Sequence, residues 1–251
     1  MNNISLAQWA LIDEIRAGQW TNLDFPRIAR EDFGLDGIEF VNTLFSVPTE
    51  TYLQDLKRRA ADYNVALVLI MVDDEGDGCA PTPAERRQFV INHRKWVDIA
   101  HYLGCQAIRT NCRGPQHVDK TEALLWAEEA YHLLLDYARP LGMNILIENH
   151  GGVSDDAQWL VQLIKRVNDP LFGTYPDWRE PGFPYDHVDY LRQTAPWAKG
   201  MSFRLQPAEA MTLEMLRIAQ NAGYQGWYGI ESNGRAAVQQ SITFLRKYLL
   251  D

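Results

Sequence analysis

Asn144-Ile145-Leu146-Ile147-Glu148-Asn149-His150-Gly151-Gly152 is the stretch whose reading decides the fold. Its apolar run has the length of a buried β-strand. It then releases a carboxylate, an amide and an imidazole at its C-terminal end and turns on two glycines. An apolar strand has no reason to finish this way unless that end faces a site. The pattern returns near the C-terminus as Trp227-Tyr228-Gly229-Ile230-Glu231-Ser232-Asn233-Gly234. Acids at the ends of two strands so far apart in sequence predict a parallel sheet whose C-terminal rim is the working surface.

Outward from these two segments, short β-like runs alternate with amphipathic segments eight times. Strands are expected at 3–9, 37–42, 66–72, 107–112, 144–150, 172–178, 200–205 and 226–232. Helical patterns lie near 23–33, 49–63, 83–103, 121–141, 156–168, 185–197, 212–222 and 236–250. Thr82-Pro83-Ala84-Glu85 is a capping box with proline at the first helical position. Ser154, followed by Asp155 and Asp156, offers an N-cap and negative charge at a helix start. Leu124, Ala127, Tyr131, Leu134, Ala138 and Leu141 share one helical face, with Glu122, Glu129 and Asp136 opposite. Strands alternating with helices make an α/β fold, and eight such units close into a parallel eight-stranded (β/α)8 TIM barrel. An open doubly wound sheet competes, but it usually carries a Gly-rich loop after its first strand, where this chain has Gln8-Trp9-Ala10-Leu11. With 251 residues and no linker or composition break, one domain is expected over 1–251.

Charge and cysteine usage narrow the setting. Lys+Arg 24 against Asp+Glu 33 gives −9 with no basic cluster, which counts against nucleic acid or an anionic membrane surface as partner. Met1-Asn2-Asn3-Ile4-Ser5 lacks the basic-then-apolar pattern of a signal peptide, and no apolar run reaches membrane-spanning length. Cys79, Cys105 and Cys112 are odd in number and form no Cys-x-x-Cys, so reduced thiols in a cytoplasmic protein are expected.

Successive strand residues face opposite sides, so residues sharing the barrel interior with each terminal acid can be read by twos. Glu148 shares its face with Asn144 and Leu146, Glu231 with Gly229 and Trp227, and Asp177 with Tyr175. By the same parity Arg109 goes with Asn111, and Ser202 with Arg204. Glu148, Asp177 and Glu231 on one rim would repel one another. Either one is protonated or a divalent cation neutralises them. Oxygen ligands suit Mg²⁺ or Mn²⁺, and an imidazole from His150, two residues from Glu148, would tilt the choice toward Mn²⁺. A cation flanked by two glutamates suits proton abstraction beside a carbonyl, one carboxylate removing the proton and the other returning it. The bland alternative is that these acids cap helices or pair with Arg109 and Arg204.

Other candidates carry less. His93, His101 and His132 sit in helical segments, and His117 and His187 in loop or cap contexts. Glu39 and Glu75 could approach the mouth, whereas Asp73 and Asp74 read as solvated loop acids. Trp9, Asn42 and Trp178 could wall a sugar site, although rim tryptophans are as often plain packing. Ser232-Asn233-Gly234-Arg235 could hold a phosphate or simply cap the last helix.

At this point the chain resembles the xylose-isomerase-like TIM barrels, the sugar phosphate isomerase/epimerase family. The resemblance runs from Ser5-Leu6-Ala7-Gln8-Trp9 through Asp36-Gly37-Ile38-Glu39-Phe40-Val41-Asn42. It is sharpest at Ile147-Glu148-Asn149-His150-Gly151-Gly152, Gly173-Thr174-Tyr175-Pro176-Asp177 and Gly226-Trp227-Tyr228-Gly229-Ile230-Glu231. It implies a divalent ion on the acids of strands five, six and eight, here Glu148, Asp177 and Glu231, with the two glutamates as acid and base. The family's fourth ligand, a strand-seven histidine, falls on Ser202. One branch has serine there followed two residues on by lysine, where this chain has Arg204.

The expectation is therefore an Mn²⁺- or Mg²⁺-dependent isomerase or epimerase of a sugar or polyol, working through an enediolate with Glu148 and Glu231 as the catalytic pair. Glu148, Asp177, Glu231 and His150 are the candidate ligands. Arg109, Asn111, Asn149, Arg204, Trp9 and Glu39 are the candidate substrate contacts. A lyase or dehydratase acting on a keto-sugar or keto-inositol shares the proton chemistry. A sugar-binding protein that lost turnover is the reading Ser202 favours. The family also includes endonucleases of abasic DNA, which need more histidines and a basic groove. The resemblance allows a homodimer.

Overall fold

Eight parallel strands form one curved sheet in the computed structural model, which describes residues 3–179 and 182–249. They are β1 Ile4–Ala7, β2 Gly37–Val41, β3 Ala66–Met71, β4 Ala107–Thr110, β5 Asn144–Ile147, β6 Phe172–Thr174, β7 Met201–Phe203 and β8 Tyr228–Ile230. The order β6-β5-β4-β3-β2-β1-β8-β7 leaves β6 and β7 at the two ends. Two bridges, Thr174 to Ala198 and Asp177 to Ser202, close the ring between them. The closing hydrogen bonds run from Lys199 N to Thr174 O (3.1 Å), Ser202 N to Pro176 O (3.0 Å) and Trp178 N to Ser202 O (2.9 Å). Pro176 has no N–H to donate, which is why this seam is bridged rather than laddered. The barrel expected from the alternation is the fold.

Nine α-helices are described: α1 Ile12–Arg16, α2 Phe25–Arg27, α3 Glu50–Asp62, α4 Pro83–Leu103, α5 Lys120–Ala138, α6 Ala157–Val167, α7 His187–Thr194, α8 Glu209–Asn221 and α9 Arg235–Tyr248. Every expected helix is present, with two local corrections. The segment near 23–33 begins as α2 and continues as a π-helical turn, Ile28–Asp32. The cap of α6 is Asp156, whose carboxylate accepts from Gln158 N and Trp159 N. Ser154 instead braces the turn after β5, accepting from His150 N and donating to Gly151 O. The capping box of α4 is complete in both directions. The expected last helix ran to Leu250, which lies outside the described residues.

Two apolar layers follow from the strand parity. The larger fills the space between sheet and helices, and on α5 it takes Leu124, Ala127, Tyr131, Leu134 and Ala138. The smaller fills the barrel and contains Ala7, Val41, Leu69, Met71, Leu146 and Tyr175, with Trp227 packed against it. Cys79, Cys105 and Cys112 are free and buried. No helix among the described residues is long and apolar enough to cross a membrane.

Candidate active site

Past their C-terminal ends, β5, β6 and β8 carry Glu148, Asp177 and Glu231 to one point. One carboxylate oxygen from each lies within 4.8 Å of the others, and all three residues are buried. They stand in the floor of a cavity of about 630 Å³, with Arg109, Arg179 and Arg204 beside them and Trp9, Ile12 and Phe183 among its walls. This is the barrel face that strand parity designates, and its volume suits a small molecule.

The acids meet both the cluster and the arginines that sequence reading had set as alternatives. Arg204 lies 3.0 Å from Asp177 and 3.0 Å from Glu231, and it also donates to the Glu231 carbonyl at 2.6 Å. Arg109 Nε faces Glu148 at 2.8 Å, but the two atoms are misaligned, so each lacks a hydrogen bond. Arg179 reaches Asp177 at 3.3 Å and Glu148 only at 3.9 Å, and its buried Nε is also without a partner. Three buried polar atoms beside one cavity lack a hydrogen bond, a cost that native sites resolve with a water, an ion or a ligand. Ser202, at the position where the resembled family has histidine, donates its hydroxyl to Glu231.

Burial pushes the Glu148 carboxyl up to about 8. Arg109 opposes the shift, and Asp177 and Glu231 add to it. Glu231 is raised for the same first reason, with Arg204 and the Ser202 hydroxyl pulling back. The floor thus strains to hold its negative charge, the condition under which a divalent cation binds and displaces protons. Three convergent oxygens are a donor set that fits a hard divalent ion. Glu148, Asp177 and Glu231 would hold it.

His150 stands apart from that set. It lines the cavity, but its Nδ1 and carbonyl both engage Arg113. Burial, with Arg109 and Arg113 close by, pushes its pKa down to about 4, so the ring is neutral. Of the expected substrate contacts, Arg109, Arg204 and Trp9 line the cavity. Asn111 is buried and binds Asp73 at 2.8 Å. Asn149 clamps the end of β6, accepting from Asp177 N (2.8 Å) and donating to its carbonyl (3.0 Å).

Glu39 lies deeper, fully buried inside the barrel and outside the cavity lining, where Ser5 (2.6 Å) and Tyr175 donate to it. Burial raises its carboxyl to about 7. Gly229 makes room for it, since a Cβ there would fall 2.4 Å from a Glu39 oxygen.

Several expectations from sequence are corrected. Asp73 is not a solvated loop acid. It receives Arg109 at 2.7 Å and Asn111, and although burial alone would raise its carboxyl, these partners hold it below its ordinary value. Glu75 turns away to Lys95 (2.5 Å) and the Trp96 indole (2.8 Å). Asn42 is tied to the Asp73 backbone, and Trp178 is core, packed on Phe203 and Tyr228. Arg235 is consumed by Glu14 and Asp32, so the 232–235 segment is a helix start and not a phosphate cradle. His93 is a buried packing residue bonded to Phe89 O, and His187 is buried against Tyr185.

Arg179 and Arg113 were missed and Asp73 was read as a loop acid, yet parity marks all three. Each stands two residues beyond an inward-facing position, respectively Asp177, Asn111 and Met71.

Solved structures resemble the whole chain. A D-tagatose 3-epimerase-like protein superposes with TM-score 0.81 at 14% identity, covering 99% of this chain and 97% of that one. An AP endonuclease, family 2, from Brucella melitensis gives TM-score 0.75 at 19% identity, covering 99% of each. The 3-keto-D-glucoside 4-epimerase of E. coli gives 0.74 at 12%, covering 100% of each. At these identities the likeness is one of fold. No curated protein matches the sequence. The family description that matches is Xylose isomerase-like TIM barrel, over residues 27–192, well over half of the chain. The chain belongs to the xylose isomerase-like TIM barrel family.

Proposed function

We propose that this protein is an isomerase or epimerase of a sugar or sugar-like polyol, dependent on Mn²⁺ or Mg²⁺, acting in a cytoplasmic setting. The observation that carries the reading is the convergence of Glu148, Asp177 and Glu231 on the floor of the cavity. The epimerases among its structural neighbours support it, as do the three free buried thiols for a reducing compartment.

Glu148 and Glu231 are the proton-transfer pair. A buried carboxyl raised toward neutral pH is suited to take a proton from a carbon beside a carbonyl and to return it. When bound, the divalent ion supplies positive charge against the enediolate oxygens. Arg109 faces Glu148 as a charge partner, and Ser202 and Arg204 orient Glu231. Trp9 and Phe183 give the sugar ring apolar surface at the wall. Neutral His150 is a hydrogen-bonding contact at the mouth rather than a ligand. The abasic-endonuclease reading, which the fold likeness to an AP endonuclease would allow, is disfavoured because no histidine among the described residues joins the acidic cluster and the chain carries −9.

The test is metal analysis of the purified protein, followed by ¹H–²H exchange of a ketose panel in D₂O with Mn²⁺. Metal-dependent exchange at a carbon beside the carbonyl, with substrate mass otherwise unchanged, is the expected result. Loss of water from the substrate would convert the assignment to a lyase. Bound metal with neither exchange nor elimination would leave a sugar-binding protein.

A further inference from the structure

Charge in the cavity is sorted by depth. At the floor, four carboxylates share two closely held guanidiniums. Arg109 lies 2.7 Å from Asp73 and 2.8 Å from Glu148, and Arg204 lies 3.0 Å from Asp177 and from Glu231. With all four ionised, and with Arg179 counted at 3.3 Å from Asp177, the floor is one positive charge short. Among the described residues the rest of the lining holds Arg16 and Arg113, with Asp74 as its one other acid. That part carries one positive charge in excess.

These outer arginines are weakly committed. Among the described residues no carboxylate lies within 4 Å of the Arg16 or Arg113 guanidinium, and both residues are exposed. His150 steadies Arg113 through two contacts, leaving three of its five N–H donors free. Arg179 stands between floor and mouth: it reaches Asp177 at 3.3 Å and Glu148 only at 3.9 Å, stacks 4.7 Å over Phe183, and its Nε lacks a hydrogen bond.

We propose that the mouth of this cavity recognises an anionic group on the substrate, a carboxylate or a phosphate, with Arg113 and Arg179 as its main partners and Arg16 at the entrance. The inference deepens the isomerase/epimerase reading and rests on it for the claim that the ligand is a sugar. Glu148 and Asp177 would share their charge with a divalent ion held there, which would weaken their pairs with Arg179 and free its fork for an anion. Guanidinium matches carboxylate and phosphate geometry in two parallel hydrogen bonds, and the low-dielectric walls strengthen them. A neutral sugar would leave the outer arginines unanswered.

Three six-carbon polyols differing at one end form the test: D-gluconate, D-glucose 6-phosphate and sorbitol, titrated calorimetrically into the full chain with Mn²⁺ present. At least one anion is expected to bind about tenfold or more tightly than sorbitol, with the advantage fading as salt rises. The preferred anion identifies carboxylate or phosphate. R113Q and R179Q should each reduce the advantage about tenfold, whereas R113K and R179K should keep most of it. Sorbitol binding as tightly as both anions, an advantage that survives in the R113Q/R179Q double variant, or no binding of either anion overturns the proposal. Absence of C–H exchange would sink the isomerase reading while leaving this binding preference intact, so the two failures are separable.

Discussion

Glu148 and Glu231 are the residues on which the function turns, and their surroundings differ in a way that can be measured. Positioned acid–base groups contribute about 10² to 10⁴-fold each, so Glu148→Gln and Glu231→Gln should each lower C–H exchange by roughly that factor. An NMR exchange rate equal to the parent's in either variant removes that residue from the chemistry. Ser202 gives a finer test. Its hydroxyl holds the Glu231 carboxyl down against burial, so Ser202→Ala should raise that carboxyl further. The acidic limb of the pH–rate profile should then move to higher pH, and an unmoved limb would mean that Ser202 does not tune Glu231. The acids were legible in the sequence because each ends an apolar run at a fixed parity. Pairing with Arg109 and Arg204 was an alternative the sequence offered, but that Arg204 meets Asp177 and Glu231 together was not legible, because Asp177 comes beside Arg204 only when the ring closes between β6 and β7.

At the scale of the elements, local chemistry was readable wherever it is local. The capping box of α4 involves residues three apart, and Thr82→Ala should cost about 1 kcal/mol in denaturant unfolding. A change within a few tenths of a kcal/mol would show that the cap is idle. Strand β8 is different. Gly229 reads as an ordinary strand glycine until Glu39, from β2, is found against it. Gly229→Ala should overpack that contact and destabilise by roughly 1–3 kcal/mol, whereas an unaltered unfolding midpoint would show that Glu39 can move aside. The helix ends that shifted, such as the π-turn after α2 and the Asp156 cap of α6, did so by a few residues, where hydrogen-bond choices within one turn are nearly balanced.

For the whole molecule, the buried titratable groups set how stability varies with pH. Glu148 is raised from 4.5 to about 8 and Glu39 to about 7, so above their ordinary value the folded chain binds more protons than the unfolded one. This makes stability fall as pH rises through that window. His93 and His150 are lowered from 6.5 to about 4, which makes stability rise with pH between those values. The two effects oppose below pH 6.5, and above it only the glutamates remain. In EDTA, Tm should decline between pH 6.5 and 8, and Mn²⁺ should raise Tm more at pH 8 than at pH 5.5, where protons compete for the same oxygens. A Tm that is flat to pH 8 without metal, or a metal effect equal at both pH values, contradicts this. The sequence alone determined the alternation of strands and helices, the barrel and the three rim acids, because side-chain periods of 2 and 3.6 and capping chemistry act between near neighbours. Only the tertiary structure decided that Glu39 lies beneath the site, that His150 serves Arg113, and that four acids share Arg109, Arg179 and Arg204 below the freer Arg16 and Arg113. Those outcomes depend on contacts such as Tyr175 to Glu39, 136 residues apart, which exist only once the sheet has curved far enough for the end of β6 to face β2 across the barrel interior.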